Sequence, residues 1–161
     1  MTKTKTALQR ELDGLWAKIV KLRAQYRCQH CGSVHELAAH HLIRTWNKHY
    51  RWEVKNGICL CARCHSDAHD HPASFKAWLH IGFPGVYLWL TTERPGMKRG
   101  VITQARMMEA KAELERALSI PLPQNGPPSP AGSVRPIWSV RHGQAVLAPA
   151  LHAQHSSQSL H

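Results

Sequence analysis

The sequence predicts a small α+β domain stapled by zinc, flanked by helices and followed by a disordered C-terminal tail. Three observations predict it. Cys28-Gln29-His30-Cys31 and Cys61-Ala62-Arg63-Cys64 are two C-x2-C knuckles, a paired metal-binding pattern. Apolar residues recur at helical spacing on both sides of the segment that carries the knuckles. From Pro121 the composition shifts to Pro, Ser, Gln, Ala and His without a single acid, and seven of the ten prolines lie there. Such a stretch cannot bury enough apolar surface to offset the entropy of ordering it.

Residues 6–26 form the first expected element. Leu8, Leu12, Leu15, Ile19, Leu22 and Tyr26 recur at steps of four and three, which places them on one helical face. Arg10 and Lys21 lie opposite, with Lys18 and Arg27 on the flanks, so a helix packed by one face can lie along phosphates by the other. Gly14 weakens its middle. Leu37 to Ile43 reads as a short strand, and Asn56-Gly57 marks a tight turn just before a second, Ile58 to Cys61. A helix begins near Cys64. Pro72 suits the first turn of the next, with Phe75, Trp78 and Leu79 on its apolar face and Gly82, Pro84 and Gly85 as its stop. Val86 to Leu90 is an apolar run that periodicity cannot assign. Residues 93–100 read as a basic loop, and 101–118 as a helix with Thr103 as a cap. The expected organisation is therefore a basic helix (1–27), a metal-bearing core (28–71), a helical extension (72–120) and a disordered tail (121–161).

Charge narrows the partner. The chain has 161 residues, and its 21 Lys and Arg against 10 acids give a net charge of +11. Residues 1–27 alone hold seven basic residues and two acids. Such an excess points to a polyanion, foremost nucleic acid, with an acidic membrane surface as the weaker alternative. No apolar run approaches the ~20 residues that span a bilayer, and MTKTKTALQR lacks the apolar core of a secretory signal. The expected compartment is a reducing cytoplasm, where paired cysteines bind metal rather than form disulfides.

Two residues between cysteines let both thiolates of a tight turn face one metal, so Cys28, Cys31, Cys61 and Cys64 make a four-thiolate structural zinc site. A redox role needs a βαβ context that is absent here. Few apolar residues lie within 28–71, so the metal is expected to stabilise this unit. Cys59 alternates with Leu60 and reads as a small buried hydrophobe, its rival role being to replace Cys61 as a ligand. Twenty-nine residues separate the knuckles, and in or just after that insertion stand His40, His41, Asn56, His65 and His69. Adjacent strand residues such as His40 and His41 point to opposite faces, and His65 and His69 share a helix face. His30, His35, His49, His71 and His80 read as structural.

With AHHLI at 39–43, NGICLCARCH at 56–65 and DAH at 67–69, residues 28–71 resemble the HNH endonucleases. His41, Asn56 and His65 follow the family's H, N and H in order. The steps of fifteen, nine and four residues from His41 to Asn56, His65 and His69 are similar to those of colicin-type DNases. WEVKNGICLCARCH and the aromatic helix after it also look like small phage and prophage members. The resemblance covers about 45 residues, a little over a quarter of the chain. It implies a ββα-metal, treble-clef-like core, hydrolysis of DNA phosphodiesters, 5′-phosphate and 3′-hydroxyl ends, and a bacterial host cytoplasm if phage-encoded.

The resemblance also implies roles. His41 is the general base, and Asn56 braces the loop bearing it. His40, His65 and His69 hold a catalytic divalent metal: Mn, Ni, Co, Zn or Mg. One common form of the family has Asp where this chain has His40, and an all-imidazole site favours the softer of these ions, with Asp67 and Asp70 near enough in sequence to restore an oxygen ligand. Arg44, Lys48, Arg51, Lys55 and Arg63 are the expected nucleic-acid contacts, Arg44 and Arg63 foremost, with Trp46, Tyr50 and Trp52 interleaved as local core. Contacts of this kind hold the phosphate backbone, of double-stranded DNA in this reading. The tail is a candidate docking segment for a partner such as another phage protein. Two rival functions stand beside this one: a junction-specific nuclease similar to zinc-bearing recombination proteins of lambdoid phages, and a zinc DNA-binding module without catalysis.

Overall fold

The computed structural model describes residues 4–93 and 101–119; the expected tail from 121 and most of the expected basic loop at 93–100 lie outside them. Helix α1 spans Lys5–Arg23, with the Thr4 hydroxyl accepting from the Ala7 N–H at its start and Lys21 and Arg23 in its last turn. The cap satisfies an unpaired amide at the start, and the basic residues at the end suit the helix dipole. The buried stripe is Leu8, Leu12, Trp16, Ile19 and Val20. The expected stripe holds at Leu8, Leu12 and Ile19 and is corrected elsewhere: Trp16 and Val20 enter the core, Leu15 packs at its margin, Leu22 is half-buried, and Tyr26 is 48% exposed. The helix stops short of Tyr26 because Gln25 and Tyr26 turn the chain with φ of 51° and 52°.

That turn delivers the first knuckle. Cys28 N–H donates to Ser33 O at 2.7 Å, Gly32 N–H donates to Cys28 O at 2.8 Å, and Gly32 takes the φ of 78° that closes the loop. Strand β1 (Leu37–His41) pairs antiparallel with β2 (Gly57–Cys61), Ala39 opposite Cys59, His40 opposite Ile58 and His41 opposite Gly57. A 3-10 turn at Val54–Asn56 leads into β2. Helices α2 (Ala62–Asp70), α3 (Pro72–Gly82), α4 (Pro84–Glu93) and α5 (Gln104–Ser119) follow. Pro72 opens α3 as expected, the unassigned run at 86–90 is helical within α4, and Thr103 Oγ1 accepts from Arg106 N–H to cap α5.

A two-stranded sheet is stable only when helices cover its faces. Here both are covered, and the strand period of two sorts the residues between them. Cys59 and Trp52 join Leu8, Leu12, Trp16, Ile19 and Val20 of α1 and Met107, Ala110 and Leu114 of α5 in one core. Ile58 and Leu60 face the other way and join Cys28, Cys61, Cys64, Ala68 and Leu79, with Phe75 and Trp78 of α3 packed on them. Cys59 is fully buried, as expected of a small hydrophobe, and burial raises its thiol pKa to about 11. The protein is thus a mixed α and β fold: helices around a small antiparallel hairpin. No described helix is long and apolar enough to cross a membrane.

Candidate metal centres and the histidine site

Cys28, Cys31, Cys61 and Cys64 converge, their sulfurs all within 4.8 Å of one another. Cys61 ends β2 and precedes α2, which carries Cys64 in its first turn, so the strand-to-helix junction presents the second knuckle to the first. The Cys31 and Cys61 sulfurs are 3.7 Å apart. A tetrahedron with zinc–sulfur bonds of about 2.3 Å has an edge of about 3.8 Å, so this pair already has the right span. All four thiols are free of disulfides. Burial, reinforced for Cys64 by the charge of Cys28, raises the pKa of Cys31 and Cys64. Against its burial, hydrogen bonds from its neighbours shift Cys61 the other way. Four thiolates crowded within this span repel one another unless a cation balances them, which fits a structural metal such as zinc. His30, inside the first knuckle, places Nδ1 3.5 Å from Cys64 Sγ and packs against Trp78.

The second cluster stands on the same face of the hairpin. His40 points with Ile58 towards α2, and there meets His65 and His69, one turn apart on that helix. Ring centroids lie 4.8 Å from His40 to His65 and 4.9 Å from His40 to His69, and the three offer nitrogens within 4.8 Å of one another. His40 is 6% exposed, and its Nδ1 is buried with no hydrogen-bond partner. Burial, then the neighbouring charges of His65, His69 and His41, lowers its pKa to about 4. A neutral imidazole with an unpartnered buried nitrogen fits a metal ligand, because a cation satisfies the nitrogen that no protein group does. The grouping holds no carboxylate. Asp70 instead accepts from Ser66 Oγ, and Asp67 acts electrostatically on His30.

His41 leaves β1 on the opposite face, opposite Gly57 and towards α1. Its ring stacks on Trp16, centroids 3.7 Å apart and planes within 13°. Its Nε2 lies 2.9 Å from the Arg51 carbonyl oxygen. A carbonyl only accepts, so Nε2 carries the hydrogen and Nδ1 keeps the lone pair. Burial lowers the His41 pKa, against the hydrogen bond to Arg51, which favours the charged ring.

Asn56 is fully buried and its side chain makes three hydrogen bonds: Oδ1 accepts from Ile43 N–H, and Nδ2 donates to Ile43 O at 3.0 Å and Tyr50 O at 2.9 Å. It clips both ends of the loop that runs from His41 to Arg51.

The expected nucleic-acid contacts divide. Arg44, Lys55 and Arg63 are exposed and Lys48 is half-buried. Arg51 is corrected: its side chain is 14% exposed and is held by Asp13, with Nε to Oδ1 at 2.8 Å and Nη2 to Oδ2 at 2.8 Å. Trp46 is 54% exposed, against its expected place in the local core, whereas Trp52 is buried and donates to Asp13 Oδ1. Sequence reasoning missed Asp13 and Trp16 altogether. Trp16 was detectable as a second helical stripe with Leu12 and Ile19, but Asp13, 38 residues from its partner, carried no local signal.

The chain matches no family model, no curated protein and no solved structure.

Proposed function

We propose that the protein is a metal-dependent DNA endonuclease of the HNH kind, cutting or nicking by direct water attack and leaving 5′-phosphate and 3′-hydroxyl ends. The observation that supports this most is the meeting of His40, His65 and His69 next to a His41 whose tautomer the Arg51 carbonyl selects. In this reading Cys28, Cys31, Cys61 and Cys64 hold a structural zinc, and the three histidines hold the catalytic ion. That ion supplies positive charge for the phosphoryl oxygens and the departing 3′-oxygen.

The protein's own groups do the rest. His41 ends β1, so a phosphodiester laid across the strand end meets imidazoles from both faces. Nδ1 of His41 takes the proton of the attacking water, and burial keeps the ring neutral and ready for it. Asn56 holds the loop on which that geometry depends. Exposed Arg44, Lys55 and Arg63 neutralise backbone phosphates without reading sequence. Nicking of supercoiled plasmid with Mn or Ni, compared between wild type and His41→Ala, tests the proposal. A fall to a small residual rate in His41→Ala is expected. If neither protein cleaves while both bind duplex, the function is that of a zinc DNA-binding module.

A further inference from the structure

Three successive residues, Arg51 to Glu53, the first of which holds His41 through its carbonyl, are gripped by one helix. Asp13 of α1 accepts from Arg51 Nε and Nη2, both at 2.8 Å, and from Trp52 Nε1 at 2.9 Å. Arg51 also donates through Nη1 to Thr45 O at 3.1 Å. Near Asp13 on α1, Trp16 donates from Nε1 to the Glu53 carbonyl at 2.9 Å while its face covers the His41 ring. Residues 51–53 lie outside the regular ladder of the sheet, so no strand partner dictates where their carbonyls point. Turn bonds from Glu53 N–H to Tyr50 O at 3.1 Å and from Asn56 N–H to Glu53 O at 3.0 Å shape the segment, and these side-chain ties anchor it to α1, the forked carboxylate–guanidinium pair being the strongest and the most directional. The Arg51 carbonyl that this fork aims is the acceptor for His41 Nε2. Burial pushes the Asp13 carboxyl up, yet the hydrogen bonds from Arg51 and Trp52 overcome it and hold the group ionised.

We propose that Asp13 is a positioning residue for His41: through Arg51 it aims the carbonyl that selects the Nε2–H tautomer and so leaves Nδ1 as the base. The proposal rests on the reading of His41 as the general base. Asp13 touches neither DNA nor metal in that reading. Its effect passes through an imidazole, because a ring with its proton on the reacting nitrogen accepts nothing from water.

The test joins a spectrum to a rate. In full-length protein labelled with 15N-histidine, at a pH where imidazoles are neutral, the His41 ring is identified by its loss in His41→Ala. Wild type is expected to show the Nε2–H tautomer alone. Asp13→Asn keeps the shape of the side chain but turns an amide donor towards a guanidinium donor, and is expected to give mixed tautomers. Its plasmid-nicking kcat should fall about tenfold or more at nearly unchanged KM. Added to His41→Ala, it should cost no further residual rate, since its effect has no ring to act through. A wild-type tautomer spectrum in folded Asp13→Asn overturns the proposal, and so does an equal rate loss in the His41→Ala background. Should Asp13→Asn fail to fold, Arg51→Lys loosens the same fork while keeping the charge, and is judged by the same outcomes. If wild type nicks nothing, the endonuclease reading falls, while the spectrum still decides whether Asp13 sets the tautomer.

Discussion

Gly57 opens β2 directly opposite His41, and it is there that α1 comes closest to the hairpin. Its φ of −118° and ψ of 139° suit any residue. Alanine at such a position would by itself stabilise the fold by ~0.4–1 kcal/mol, because it restricts the unfolded chain. The steric term has the opposite sign. A Cβ on Gly57 would overlap Val20 Cγ2 and fall 2.8 Å from Trp16 Cζ2, and both neighbours are buried core side chains. Carbon atoms rest at about 3.5–4.0 Å, so α1 must lift by roughly 1 Å. Overpacking costs about 1–3 kcal/mol, and an overlap this deep with two buried side chains belongs in the upper half, about 2–3 kcal/mol, which leaves Gly57→Ala destabilised by about 1–2.5 kcal/mol after the entropic gain. In a domain of this size that is a fall of roughly 5–15 °C in Tm. Thermal and urea melts followed by circular dichroism measure it. Val20→Ala removes the overlapped methyl, so the double variant should lose less than the two single losses added together, by about 0.5 kcal/mol or more. A Gly57→Ala protein that melts at or above wild type would refute the close packing of α1 on β2.

Three further outcomes are expected. Cys28→Ser combined with Cys61→Ser should abolish cooperative melting of the hairpin half, since its core is small and a metal held by the four thiolates would stabilise it; a wild-type melt would count against the zinc staple. Asn56→Ala strands the Ile43 N–H and the Ile43 and Tyr50 carbonyls in a buried site, at a cost of about 2–4 kcal/mol in urea titration; a loss under about 0.5 kcal/mol would show that the loop needs no such clip. Nicking should be faster with Mn or Ni than with Mg at equal concentration, and His40→Asp, which adds a hard oxygen ligand, should shift the preference towards Mg. Equal rates with Mg in the wild type would dispose of the imidazole argument.

Short-range geometry was legible in the sequence. A C-x2-C turn can face its sulfurs only one way, and His65 and His69 at i and i+4 must share a side, so both clusters follow from spacing once the hairpin is granted. What could not be read was the choice among locally equivalent options. Leu15 and Trp16 are adjacent on α1 and each extends a plausible stripe; the hairpin lying over the helix decides for Trp16. Trp46 and Trp52 are six residues apart in one loop, yet one is exposed and the other buried beside Asp13. Arg51 sits in a basic stretch and looks like a phosphate ligand, until the fold brings an acid to it from α1. α4 is apolar on several sides and shows no period to read; among its described side chains none is buried.

The pairing of α1 with α5 has a consequence for how the chain is made. Leu8 and Leu12 share a core with Met107, Ala110 and Leu114, and Glu11 meets Lys111 at 3.2 Å. These partners are separated by about a hundred residues of synthesis. At about 5–20 residues per second the nascent α1 waits roughly 5–20 s for α5. The hairpin arrives sooner and shelters Trp16 and Val20, but the amino-terminal half of the stripe stays open to other chains until α5 emerges. That interval, more than the stability of the finished domain, is where overexpression of this protein should meet aggregation, and co-expression with a chaperone that shields short apolar helices should relieve it.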